Sequence, residues 1–298
     1  MNYYIVSPTA NRYAILLGSN GAYGSTLIGA ASLAAFFGSF LYSWWYTRFS
    51  FKSALAFSSF VSVIGNLLYA FAISFESIKV AFVGRLLVGL GSAEVINRQI
   101  ISSCVHYNFM TRASALFVVA SALGMSVGPL LAAVLDDMAG RDIEIDYIVP
   151  KWIPHIGGTG IIYDNVTSPA FLMAVLWLME FLATIFTFKE PIRVNSFNRK
   201  DEAYKQNGWF SEMREVKNLI FENAALPVTL TIYCYIELLD EILLSSCAMV
   251  CKRYFAWNGS VAGYILAALG ALVLPADFIV DKASRYYEER VILRVCYS

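Results

Sequence analysis

Between Arg12 and Arg48 the chain runs for 35 residues without a single Asp, Glu, Lys or Arg. A bilayer crossing takes about 20 predominantly apolar residues, so this gap is long enough for a transmembrane helix with its flanks. Comparable charge-poor stretches recur along the chain. The whole is 58% hydrophobic and 15% charged, where a soluble domain carries about a quarter charged residues. Gly, Ala and Ser are scattered through every such stretch, and apolar residues lie on all faces. That pattern predicts helices set in lipid and packed closely through small residues. The fold class is therefore all-α and transmembrane.

A membrane-length window predicts seven complete crossings, at residues 22–45, 53–75, 78–101, 113–135, 169–188, 225–250 and 260–280. The apolar run at Met1 is too short to cross, and another begins near Val291, so the chain reads as cut at both ends. No basic start, apolar centre and small-residue cleavage site marks a secretory signal, which leaves targeting to a span itself. Arg48, Lys52, Arg112, the cluster from Lys189 to Lys217, and Lys282 to Arg294 fall in alternate connections. By the positive-inside rule these connections are cytoplasmic. The acceptor sequons at Asn165 and Asn258 fall in the opposite connections, as lumenal glycosylation requires.

The five cysteines lack the close pairing of a zinc site, and His106 and His155 fall in loops on opposite sides. They read as small buried hydrophobes and surface imidazoles. No nucleophile with a paired base and no phosphate-cradling glycine loop stands out, so the sequence does not read as an enzyme, and it calls for no cofactor, metal or nucleic acid.

Chemistry enters where charge sits inside a span, because an ionisable group at the bilayer centre costs about 2.5–3.5 kcal/mol on insertion scales. The 78–101 span carries Arg85, Glu94 and Arg98. At 100° per residue Glu94 and Arg98 share a face as an i, i+4 pair, with Arg85 roughly opposite. This is either a self-neutralised pair or part of a substrate path. In the 225–250 span Glu237 shares a face with Asp240 and Glu241. Three carboxylates so close in low dielectric cannot all ionise freely. They either pair with basic residues of neighbouring helices or carry a coupling proton. Glu180, alone in its span, reads as a helix-packing contact.

The stretch from Arg48 to Lys52 resembles the basic loop between helices 2 and 3 of the major facilitator superfamily, with Thr47 where an Asp is usual. Gly84-Arg85-Leu-Leu-Val-Gly89 resembles the helix 4 arginine motif, and Gly124-x-x-x-Gly128-Pro129 the helix 5 Gly-Pro motif. Val6-Ser-Pro-Thr-Ala10, Gly65-Asn-Leu-Leu-Tyr-Ala70, Asn97-Arg98, Ser121-Ala-Leu-Gly-Met125 and Glu241-Ile-Leu-Leu-Ser245 narrow the resemblance. They are similar to the SPX-domain major facilitator proteins of plants and algae, which are vacuolar phosphate transporters. The resemblance runs from Asn2 to about Leu293.

That resemblance implies a helical bundle holding the equivalents of helices 2–8 of twelve. Residues 1–189 would form the first half, 190–224 a cytoplasmic linker and 225–298 the start of the second half, without an SPX domain. It implies a secondary active transporter of an inorganic anion such as phosphate, multi-pass in a vacuolar or lysosome-like membrane rather than the plasma membrane. Its partners would be the anion, protons and the bilayer. Arg98, Glu94 and Arg85 would line the substrate path, and Glu241, Asp240 and Glu237 would serve coupling. The chain departs from the family at Glu94 and Gln99, where Arg is usual, and at Ser103, where Asp is usual. Two cations are thereby missing from a helix that would face an anion. An anion channel or inactive pseudotransporter of the same fold remains an alternative. A seven-helix receptor is disfavoured by the lack of paired extracellular cysteines and of Asp-Arg-Tyr after the third span.

Overall fold

Backbone N–H and C=O groups in hydrocarbon must be satisfied internally, and each charge-poor stretch meets this demand as a helix. The structure, a computed structural model, describes residues 2–139, 166–191 and 225–284. A 3-10 turn at Tyr4–Val6 precedes α1 (Ala10–Leu16), α2 (Tyr23–Arg48), α3 (Phe51–Phe71), α4 (Ile78–Leu90) and α5 (Glu94–Cys104). Then come α6 (Tyr107–Ala139), α7 (Ser168–Thr187), α8 (Ala225–Phe255) and α9 (Gly259–Ser284). No strand occurs among the described residues.

Five stretches are long and apolar enough to cross a membrane: Tyr23–Tyr46, Phe51–Phe71, Ile78–Cys104, Arg112–Asp137 and Ser168–Thr187. The remaining two expected spans are also long helices. Carboxylates interrupt α8, however, and the apolar part of α9, Gly259–Pro275, is shorter.

The third expected span, 78–101, is not continuous. It breaks after Leu90 and resumes at Glu94 as α5. Around Gly89-Leu-Gly91-Ser92 the turn tightens, with the Ser92 amide donating to the Gly89 carbonyl at 3.0 Å. The carbonyls exposed by the break find partners on neighbouring helices. The Tyr42 hydroxyl donates to the Leu90 carbonyl at 2.7 Å, and the Ser58 and Ser62 hydroxyls donate to the Gly91 carbonyl at 2.9 and 3.1 Å. An unpartnered buried carbonyl costs about 1–3 kcal/mol. We therefore expect Ser58→Ala or Ser62→Ala alone to be tolerated, and the double change to lower thermal stability by more than the two single losses added. Melting curves of the detergent-solubilised protein check this; simple additivity would mean that the two hydroxyls do not share the carbonyl.

The helices pack in a chain of neighbours: α4 lies against α2 and α3, α3 against α7, α6 against α9, and α8 against α9 and α2. One buried cluster joins Ile5, Val6, Tyr13, Leu27, Ile28, Tyr69 and Met173; a second joins Tyr42, Phe51, Leu55 and Ile96. The α6–α9 seam uses small residues. A Cβ on Gly263 would meet the Pro129 carbonyl oxygen at 2.9 Å, and the Ser126 hydroxyl donates to the Ala267 carbonyl at 2.9 Å. Gly128 and Pro129 are buried at this seam and Gly124 is half-buried.

At the end of the bundle expected to face the cytoplasm, Ser50 caps α3 by accepting from the Ser53 amide at 3.1 Å. The Glu190 carboxylate accepts from the Phe51 and Lys52 amides at 2.8 and 3.1 Å, as a negative charge at a helix N-terminus should. Lys52 donates to the Ile185 carbonyl in the last turn of α7 at 2.7 Å. Arg48 lies 5.6 Å from the centre of the Trp44 ring. The basic loop thus ties α3 to α7.

Candidate functional site

Among the described residues Arg85 is one of the largest fully buried side chains, with 0% of its surface exposed. The α4 packing places it between α2 and α3, with Gly84 before it and Gly89 one turn on. Its Nε donates to the Leu27 carbonyl at 3.3 Å, and its Cζ stands 5.8 Å from the centre of the Tyr69 ring. Tyr69 stacks on Tyr13 with ring centroids 4.4 Å apart, and the Tyr13 hydroxyl donates to the Tyr69 carbonyl. Arg85 Nη1 and Nη2 and the Tyr69 hydroxyl are buried without a hydrogen-bond partner.

Glu241 of α8 reaches the first residues of the chain and α2. Its Oε2 accepts from the Tyr3 hydroxyl and lies 3.3 Å from the Ser32 hydroxyl, which is 2.6 Å from the Tyr3 oxygen. Its Oε1 is buried without a partner. No ion pair joins Arg85 to Glu241: the pairs among the described residues are Arg12 with Asp136 and Arg98 with Glu94. The site therefore offers a cation and a carboxylate, each with unused hydrogen-bonding capacity, on helices from distant parts of the chain.

Arg98 is placed elsewhere. Its Nε and Nη2 both donate to Glu94 Oε1, at 2.9 and 2.8 Å, and both side chains are half-exposed, at 53% and 51%. Its Cζ lies 5.4 Å from the centre of the Phe117 ring. Arg98 lies on α5, beyond the break after Leu90 that separates it from Arg85 on α4. Arg98 is thus paired on α5 with Glu94, while Arg85 is buried against Leu27 and Tyr69. Glu237 and Asp240 lie on α8 within a turn of Glu241, but their side chains fall outside the described residues. Asn258 is exposed in the short connection between α8 and α9, and Asn165 lies outside the described residues. Glu180 is exposed on α7 rather than packed against a neighbouring helix. Its face of α7 also exposes Leu176 and Met179, so nothing among the described residues covers it.

Charge-based reading missed Tyr3, Tyr13, Ser32 and Tyr69. Their hydroxyls sit in apolar helical stretches where Ser and Tyr also serve ordinary packing. The signal available was the Tyr69 position within the Gly65–Ala70 match.

The sequence profile of the Major Facilitator Superfamily matches residues 1–298. The chain belongs to the major facilitator superfamily. Within it, the chain is 34% identical to an SPX domain-containing membrane protein of Arabidopsis thaliana over 336 aligned positions, covering 99% of this chain and 46% of that protein. It is 32% identical to an SPX domain-containing membrane protein of Oryza sativa subsp. japonica, covering 98% and 45%. A second Arabidopsis protein of that description is 31% identical, with the same coverage. This superfamily member thus spans less than half the length of the curated relatives it matches. No solved structure matches it significantly. The assignment and the apolar helices together make it a multi-pass integral membrane protein.

Proposed function

We propose that this chain is part of a secondary active transporter that carries an inorganic anion such as phosphate across a vacuolar or lysosome-like membrane. In such transporters two helical halves rock about a substrate site near the bilayer midplane. Residues 1–189 and 225–298 belong to the two halves, joined by the linker 190–224. The observation that carries this reading is the buried Arg85 with both Nη atoms unused, in the half whose Tyr3 and Ser32 are bonded by Glu241 of α8. A buried lone cation costs several kcal/mol, and an anion arriving between the halves would relieve that cost. Phosphate and the vacuolar membrane are what the motif resemblance to the SPX-domain major facilitator proteins implies; the relatives themselves are named only as SPX domain-containing membrane proteins. Arg98 and Glu94 form a paired, half-exposed station further along the same path, and Asn165 and Asn258 lie on the lumenal side.

Glu241, with Asp240 and Glu237 on the same helix, carries the coupling proton in this reading. Phosphate uptake into liposomes bearing the intact protein should respond to an imposed pH gradient. Glu241→Gln should flatten that response about tenfold or more, while exchange of phosphate for phosphate persists at a reduced rate. A variant whose net uptake follows the gradient as the wild type does would remove the proton role from Glu241.

A further inference from the structure

We propose that the end of the bundle opposite the Arg48–Lys52 loop holds a two-chain phospholipid whose headgroup carries both a phosphate and a primary ammonium, of the phosphatidylethanolamine type. The inference comes from two grooves that diverge from one lysine, and it does not depend on the anion-transport reading.

α2 begins at Tyr23 and α4 at Ile78, so Tyr23 and Lys79 lie at the same end of the bundle. A groove of about 370 Å³ runs between α2 and α4, with Tyr23, Leu27, Lys79, Phe82 and Val83 in its walls. A second, of about 230 Å³, runs between α3 and α4 along Leu68, Lys79, Val80 and Val83. Lys79 and Val83 belong to both. Val83 lies one helical turn deeper than Lys79, about 6 Å at 1.5 Å per residue, so each groove leads from a cation at its mouth into apolar walls. Lysine at such a depth keeps its stem along apolar surface and its ammonium at the headgroup level. Two acyl chains joined at one headgroup match this branching. A single helix could fill one groove but could not straddle the ridge of α4 between them.

The mouth also carries two opposite charges. Glu76 stands in the turn before α4, three residues from Lys79, and both are exposed. The ion pairs among the described residues are Arg12 with Asp136 and Arg98 with Glu94, which leaves Glu76 and Lys79 uncompensated. A lipid phosphate pairs with the Lys79 ammonium, and the Tyr23 hydroxyl at the rim of the larger groove is a further donor. A primary ammonium donates N–H bonds to the Glu76 carboxylate, and charge-assisted bonds of this kind are the strong ones. A choline headgroup has the charge but no N–H to donate. Phosphatidylglycerol would bring a net negative charge to Glu76 with no cation to meet it.

The test is mass spectrometry of the intact full chain released from micelles that hold equal amounts of phosphatidylethanolamine, phosphatidylcholine and phosphatidylglycerol with identical chains. Phosphatidylethanolamine should be retained about tenfold more often than either competitor, the worth of one hydrogen bond to a charged group. Glu76→Gln should cut its preference over phosphatidylcholine to about threefold or less, because a neutral acceptor bonds more weakly. Lys79→Gln should lower retention of both without changing their order. Val83→Trp, at a residue 47% exposed and shared by the two grooves, should remove the bound lipid whatever its headgroup. Equal retention of the three lipids by the wild type would overturn the proposal. So would a bound lipid that Val83→Trp leaves in place, since it would sit elsewhere on the bundle. Retention of no lipid at all would overturn it too, with the grooves then covered by other parts of the protein.

Discussion

Gly89→Val is expected to leave almost no folded protein in the membrane. A Cβ at Gly89 would collide with the Ala31 carbonyl oxygen of α2, with the Ala31 carbonyl carbon at 2.7 Å and Cα at 2.9 Å. All three are backbone atoms, so no side chain can swing away. The opposite side of α4 offers no room, because a Cβ on Gly84 would meet the Tyr69 amide nitrogen of α3 at 2.8 Å. Relief would require α2 and α4 to separate along their length. Between membrane helices packing is a leading source of attraction, with no hydrophobic gain to compensate for its loss. Overpacking in soluble cores costs about 1–3 kcal/mol; a backbone clash at a helix crossing should exceed the top of that range. The measurement is the yield of monodisperse protein after gel filtration in detergent. Leu33→Val, at a residue 56% exposed on the same helix as Ala31, serves as the tolerated control. Gly89→Val at wild-type yield would mean that α2 and α4 do not meet at this point.

The helices were legible in the sequence and their interruptions were not, for a physical reason. A charge gap such as that from Tyr13 to Thr47 is a local property, and hydrocarbon leaves it one outcome, so α2 lies within three residues of the expected ends. The break after Leu90 depends on Tyr42, Ser58 and Ser62, which lie 29 to 48 residues away and accommodate the freed carbonyls. Gly-Leu-Gly-Ser alone is compatible with a continuous membrane helix. The candidate site divides in the same way. Glu94 with Arg98 could be read as a pair because i, i+4 geometry is built into a helix. The meeting of Glu241 with Tyr3 and Ser32 spans 238 and 209 positions and depends on how α8 seats against α2. Glu180 shows the converse error. A lone carboxylate in an apolar helix suggested a packed partner, yet the helix turns that face outward.

Arg85→Met is expected to reduce phosphate transport about 100-fold or more while leaving the melting temperature of the purified protein unchanged or raised. The two halves of that expectation follow from the same atoms. Removing the guanidinium loses the bond to the Leu27 carbonyl, about 1 kcal/mol, and the contact with the Tyr69 ring, about 1 kcal/mol. It also removes a buried charge whose Nη1 and Nη2 have no partner in the protein, a burden of several kcal/mol. Met fills much of the same volume without a polar atom, so the balance for the empty protein is neutral or favourable. For the anion the sign reverses. Its partner is gone, and an unpaired charge in such a site costs about 3–5 kcal/mol, which at 1.4 kcal/mol per tenfold is a factor of 100 or more. Arg85→Lys keeps the charge but replaces a fork by a point, and should fall between the two. Uptake and thermal denaturation measured on the same preparations separate the possibilities. A folded Arg85→Met protein that still transports would take Arg85 out of the anion path, and one that unfolds would make the guanidinium a structural element of the α2–α3–α4 contact.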